Sequence, residues 1–203
     1  KGLVQQPIEF KDGSIVRLTV ARFYTPSGRC IQKPYTNYEY DIYQRYTGGE
    51  IFSADSVKLN KDDLHYTRGG RPVYGGGGIM PDVFVPMDTT RASTFFIACN
   101  RKTTQMRFAA AMFDKYAAQL RDIDSYPAMD AFLRRIDLPG QFRTFALRRD
   151  GLTVSDAEFK ETLPYLEPQL NALVARYSKL GESAFYKYYL PVDLTGETAL
   201  RGN

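Results

Sequence analysis

Few side chains in this sequence are of types that do chemistry by themselves, and their spacing narrows what that chemistry can be. The single histidine, His65, and the two cysteines, Cys30 and Cys99, lie far apart and lack the closely spaced ligand pairs of a zinc site, so no metal or other cofactor is expected. The thiols read as free and semi-buried, a disulfide staying open only for an exported chain. His65 lies in a polar stretch and reads as a loop residue. Gly75 to Gly78 form a run of glycines, but no Lys-Ser/Thr ending follows and no helix opens there; close backbone approach explains the run better than phosphate binding. A net charge of +4 raises the question of nucleic acid. The densest basic runs, Arg134-Arg135 and Arg148-Arg149, fall within amphipathic helical patterns, where they form a solvated face or complement a helix C-terminus, and no nucleic-acid partner is expected. Lys1 and Gln5 complete the set. Taken alone, a lysine at a chain start is a solvated, mobile charge, and Gln5 a solvent-facing strand residue.

The elements that would position these groups can be read from periodicity. With 43% hydrophobic and 25% charged residues among 203, the chain can bury a core. No run of eighteen apolar residues occurs, so no membrane contact is expected from it. Val4, Gln6, Ile8 and Phe10 alternate with Leu3, Gln5, Pro7 and Glu9, which predicts a strand with Pro7 at an edge or bulge. Asp12-Gly13 predicts a two-residue turn with both residues at positive φ, and Ile15 to Tyr24 the returning strand. Thr25-Pro26-Ser27-Gly28 is a second turn. Residues 33–74, rich in tyrosine and glycine, read as an insertion with short edge strands at Tyr38 to Gln44 and Glu50 to Phe52. An aromatic insertion can line a peptide groove, although a surface loop is the commoner case. From residue 89 to 203 the pattern is helical: Thr94 to Leu120, Ala128 to Ile136, Gln141 to Arg149 after the punctuation of Leu138-Pro139-Gly140, and a helix opened by the capping box Ser155-Asp156-Ala157-Glu158. Pro164 and Pro168 are expected to interrupt it, Pro168 starting a last long helix that Gly181 stops, followed by an aromatic turn, Phe185 to Tyr189.

Lys1-Gly2-Leu3-Val4-Gln5, then Asp12-Gly13-Ser14, then Leu18 through Gln32, with Thr25-Pro26-Ser27-Gly28 inside it, resembles the carboxyl-terminal processing (tail-specific) protease family. The resemblance resumes at Gly77-Gly78-Ile79-Met80-Pro81-Asp82. It implies an α+β fold: an N-terminal β-hairpin and short strands from the end of a crotonase-like, Clp-protease-like peptidase core (residues 1–32 and 75–88), the insertion 33–74, and a C-terminal α-helical domain, residues 89–203. It also implies a Ser/Lys/Gln serine endopeptidase in which Lys1 is the catalytic lysine and Gln5 its partner. The nucleophilic serine belongs upstream of the lysine, so hydrolysis by these residues alone is not expected. Cys30 stands where family members often carry serine, without a chemical role of its own.

A serine hydroxyl becomes a nucleophile when a base takes its proton, and a lysine amine can do so only when neutral. Desolvation must then lower its pKa from about 10.4 to roughly 7–8. The Gln5 amide oxygen can orient that amine. Four residues of extended chain separate the two Cα atoms by about 13 Å, so a bend, which Gly2 permits, is required. The resemblance further implies protein or peptide substrates and an exported or periplasmic location, with any membrane anchor in a segment before Lys1. The competing reading is a noncatalytic helical module from about residue 90 that mediates docking or homo-oligomer assembly.

Overall fold

The computed structural model describes residues 2–33, 35–57, 59, 61–88 and 93–202. The chain is α+β, and it divides between Met87 and Asp88 into two units.

In the first unit, β1 (Leu3–Glu9) pairs antiparallel with β2 (Ile15–Arg22), Gln6 opposite Leu18 and Ile8 opposite Val16. Because side chains alternate along each strand, Val4, Gln6, Ile8, Val16 and Leu18 share one face, and Gln5, Pro7, Glu9, Ile15, Arg17 and Thr19 the other. The connection differs from the expected two-residue turn. The Phe10 carbonyl accepts from the Gly13 amide at 2.9 Å while the Phe10 amide donates to Ser14 O at 2.9 Å, with Gly13 at φ 80°. Asp12 keeps a negative φ because its carboxylate takes the Ser14 amide at 3.0 Å and the Ser14 hydroxyl at 2.7 Å; those bonds hold its carboxyl below the usual range. The same loop, with a left-handed glycine in its last position, closes Thr25 onto Arg29 through Gly28 and Thr67 onto Arg71 through Gly70.

The tyrosine-rich stretch is helical where an edge strand was expected: α1 spans Tyr38–Thr47. Tyr38, Ile42 and Tyr46 fit a four-residue period as well as the brief alternation. Glu39 and Asp41 in the first turn and Arg45 in the last complement the helix dipole, and Asp41 holds Lys33 at 2.9 Å. Glu50 to Phe52 form a turn; the strands are β3 (Leu64–Tyr66) and β4 (Pro72–Tyr74), paired antiparallel. His65 therefore lies in a strand, its Nε2 3.2 Å from Asp63 Oδ1.

Residues 89–92, where the helical part was expected to begin, lie outside the described residues. Beyond them the expected helix from Thr94 is two, α2 (Thr94–Arg101) and α3 (Thr104–Asp122), with Thr103 left-handed at φ 52° between them. The reversal places Thr104 against Asp150, whose carboxylate accepts Thr104 Oγ1 at 2.6 Å and Arg107 Nη2 at 2.6 Å. Next come α4 (Tyr126–Arg135) and α5 (Leu138–Asp150). Leu138-Pro139-Gly140 is the first turn of α5 rather than a break. Proline lacks only an amide that a first turn leaves unused, and Gly140, whose amide donates to the capping Asp137 carboxylate at 2.9 Å, has no room for a Cβ against it. Gly151, left-handed at φ 66°, ends α5.

A single helix, α6 (Asp156–Ala175), runs through both prolines. Pro164 lies on its exposed side, so the carbonyl it leaves unpaired faces water, while Phe159, Leu166, Leu170 and Val174 are buried and hold the helix together from the other side. It ends at Ala175, short of Gly181, and α7 (Glu182–Tyr189) and α8 (Leu194–Arg201) follow. Helix α6 packs on α2, α3, α5 and α7. The core is aromatic: Phe142 meets Phe95 and Phe108 edge to face at centroid distances of 6.2 and 5.3 Å, and Phe95 meets Phe159 at 6.1 Å.

The capping box is half as expected. Ser155 Oγ accepts the Glu158 amide at 3.1 Å, but the Glu158 carboxylate crosses to α2, taking the Phe95 amide at 2.9 Å and Thr94 Oγ1 at 2.7 Å. The exposed amides and positive pole of α2 outcompete the local partner. These bonds hold the Glu158 carboxyl below its ordinary 4.5, so its contribution is complete above that pH and is lost as pH falls through the lower folded value. Glu158→Ala is expected to lower stability by about 1 kcal/mol at neutral pH. The difference from the parent chain should shrink in acid, as measured by urea unfolding followed by circular dichroism.

Candidate functional site

The two residues singled out for chemistry differ in what can be said of them. Lys1 lies outside the described residues. Gln5 sits in β1 on the polar face of the hairpin, with its Nε2 3.5 Å from Thr19 Oγ1 across the ladder. Between the two, β1 and β2 shift register at Val4/Gln5, where Leu3 and Val4 pair with Arg22 and Ala21 but Gln5 pairs with Thr19. Val20 is the extra residue of a bulge, and a bulge turns the ladder locally. The register irregularity beside Gln5 thus lies in β2.

Gly2 has another task. It is buried, its amide donates to Gln32 Oε1 at 3.1 Å and its carbonyl accepts from the Phe23 amide at 2.7 Å. A Cβ there would lie 3.1 Å from the Gln32 nitrogen and 3.1 Å from Ile31 Cγ1, so a larger residue would crowd residues 31 and 32 at the start of β1. Gln32 also donates through Nε2 to Lys33 O at 3.0 Å, which fixes its amide plane. Gln32 is a positioning residue that spacing alone does not identify; its only sequence signal is its place at the end of the Leu18 to Gln32 run.

The glycine run packs on the same segment. The amides of Gly76 and Gly78 donate to Cys30 O at 2.8 Å and Ile31 O at 3.1 Å, and the Gly75 amide to Asp63 O at 3.0 Å. A Cβ on Gly75 would meet Asp63 Oδ2 at 2.8 Å and Cys30 O at 3.0 Å; one on Gly76, at φ 72°, would meet Asp63 Oδ2 at 2.7 Å. Close backbone approach is therefore a reason for glycine at Gly75, and the left-handed φ a reason at Gly76. The two stretches that carried the resemblance, separated by the excursion of residues 33–74, are hydrogen-bonded neighbours.

What surrounds this cluster is bare. Among the described residues of the first unit only Gly2, Val73 and Gly75 are buried, and Val4, Ile8, Phe10, Val16 and Leu18 present an exposed apolar hairpin face. An aliphatic surface of this kind is stable when covered. Both cysteines carry free thiols; Cys99 is buried at the end of α2 and its thiol is pushed up to about 12, chiefly by burial with Asp150 adding to it, which leaves it protonated and unreactive. Among the described residues no group of three or more His, Cys, Asp or Glu side chains could hold a metal ion, and no helix is long and apolar enough to cross a membrane.

Replacing Gln32 by Ala should free the start of β1. Hydrogen exchange at the Phe23 amide, whose acceptor is Gly2, is expected to quicken by up to about tenfold, the worth of one hydrogen bond, while amides in α6 keep their rates.

No curated protein and no solved structure matches the chain. Residues 1–43 match the model of peptidase family S41, so over the segment that holds β1, β2 and the Gln32 clamp the chain is similar to the S41 peptidases.

Proposed function

We infer that this chain is the C-terminal part of a serine endopeptidase of the carboxyl-terminal processing type, in which Lys1 is the general base and Gln5 orients it. The observation that carries the reading is the S41 match over residues 1–43, which begins at the lysine and includes the glutamine. The bare apolar face of the hairpin supports it: Val4, Ile8, Val16 and Leu18 are what a crotonase-like peptidase core would cover with a further layer.

In the reaction the neutral Lys1 amine takes the proton of a serine hydroxyl supplied by a segment outside these residues. The serine oxygen attacks the scissile carbonyl carbon, and the resulting ammonium gives its proton to the departing amine nitrogen as the C–N bond breaks. Water, deprotonated by the same amine, then cleaves the acyl-enzyme ester. The Gln5 amide oxygen accepts a hydrogen from the lysine nitrogen and keeps its lone pair on the serine. Protein or peptide chains are the substrates, and export is the location the resemblance favours. The self-contained core of the helical unit also suits a second reading, an interaction or oligomerisation module that folds by itself.

In the intact peptidase, Lys1→Ala should remove hydrolysis of a peptide substrate with the circular dichroism spectrum unchanged, and Gln5→Ala should lower kcat by about 10- to 100-fold. The kcat of the parent enzyme should rise with pH through roughly 7–8 as the amine loses its proton. Full activity of the Lys1 variant would reject the assignment, and so would turnover by the purified 203-residue chain.

A further inference from the structure

The surface of the helical unit carries an open cleft of about 750 Å³ between α3 and α5, within the size range of small-ligand sites. Phe145 of α5 supplies its apolar wall, with the buried Met112 and Phe108 of α3 packed behind it. That wall is stiff, because Phe145 is backed edge to face at 5.6 Å by the buried Phe108, which itself meets Phe142 at 5.3 Å.

The polar groups around it fall into two sets. Most are already satisfied within the fold: Gln141 Oε1 accepts Lys115 Nζ at 2.7 Å, Thr144 Oγ1 donates to Gly140 O at 3.0 Å, and Asp137 Oδ1 accepts the Gly140 amide at 2.9 Å. The nearby cations Arg107 and Lys102 are likewise committed, to the Asp150 carboxylate at 2.6 Å and the Asp150 carbonyl at 2.9 Å. Arg148 and Arg149 are the exception. Both line the cleft and are exposed, and among the described residues neither makes an ion pair or a side-chain hydrogen bond. Complementing the C-terminal dipole of α5 accounts for basic residues in its last turn, but not for two unpaired guanidinium groups lining an aromatic cleft.

Asp137, at the N-terminal end of α5, lies about 16 Å along the helix from Arg148 at 1.5 Å per residue. The one carboxylate and the two guanidinium groups thus lie at opposite ends of the cleft. We propose that this cleft binds a monocarboxylate carried on an apolar body, with the carboxylate on Arg148 and Arg149 and the body against Phe145 and the exposed edge of Met112. Guanidinium groups suit a carboxylate because they donate two parallel hydrogen bonds to it. The ligand chemistry has two sources, the free C-terminus of a peptide ending in an apolar residue, or a fatty acid. The site is independent of Lys1 and Gln5, so it stands whether or not the peptidase reading does.

The test is isothermal titration calorimetry on the whole 203-residue chain, with three probes: N-acetyl-Ala-Ala-Leu as the free acid, the same peptide as its C-terminal amide, and decanoate. At least one acid is expected to bind, the amide at least tenfold more weakly than the peptide acid if that acid binds, and the double variant Arg148→Ala, Arg149→Ala to lose tenfold or more for whichever acid binds. Both arginines are exposed, so the variant keeps its fold. Binding of the peptide acid alone assigns a peptide terminus, binding of decanoate alone assigns a fatty acid, and binding of both leaves the monocarboxylate class. Absence of heat from both acids, equal affinity for peptide acid and amide, or unchanged binding by the arginine variant would overturn the proposal.

Discussion

The structure of the first unit rests on backbones approaching where no side chain fits. Gly2 against Gln32, and Gly75 and Gly76 against Cys30 and Asp63, allow three stretches of chain to hydrogen-bond directly, and an added Cβ at any of them would crowd its neighbours. Hydrogen bonds rather than buried area hold this unit, since almost nothing in it is removed from water. It follows that its geometry is set at the base of the hairpin, next to Gln32, and that its half-exposed apolar faces contribute only part of what they would if covered.

The helical unit is organised on the opposite principle. Phenylalanines from α2, α3, α5 and α6 meet edge to face at its centre, and α6 touches most of the other helices. Around that apolar centre, two carboxylates act as ties between elements distant in sequence. Glu158 of α6 caps α2, and Asp150 at the end of α5 holds Thr104 and Arg107 of α3. Both carboxyls are held below the usual range by the groups they accept, Asp150 chiefly by Arg107, so both ties loosen in acid and the unit is most stable above the ordinary carboxylate range.

Much of this was legible in the residues. The alternation along Val4 to Phe10 placed the apolar and polar faces of β1 correctly, Thr25-Pro26-Ser27-Gly28 announced its turn, Gly151 marked the end of α5, and Ser155 the start of α6. Resemblance brought Lys1 and Gln5 forward, in the segment that matches peptidase family S41. Misread elements share a cause: a local signal had two solutions. Tyrosines at Tyr38, Tyr40 and Tyr43 fit strand or helix, and Asp12-Gly13 fits a two-residue or a three-residue loop. The proline pairs at Pro164 and Pro168, and Leu138-Pro139-Gly140, read as breaks although each sits inside a helix.

By itself, then, the sequence determined what depends on neighbours along the chain: periodicity, caps, left-handed glycines and the order of motifs, because these are set by sterics and hydrogen bonds spanning a few residues. The tertiary structure decided whatever depends on partners far away in the chain. Which amide the Glu158 carboxylate would take, how far α6 could run through two prolines, and that Gln32 would hold Gly2 are all outcomes of competition between local and distant partners. Burial settles such a competition by removing water as the alternative partner, and no short stretch of sequence contains that information.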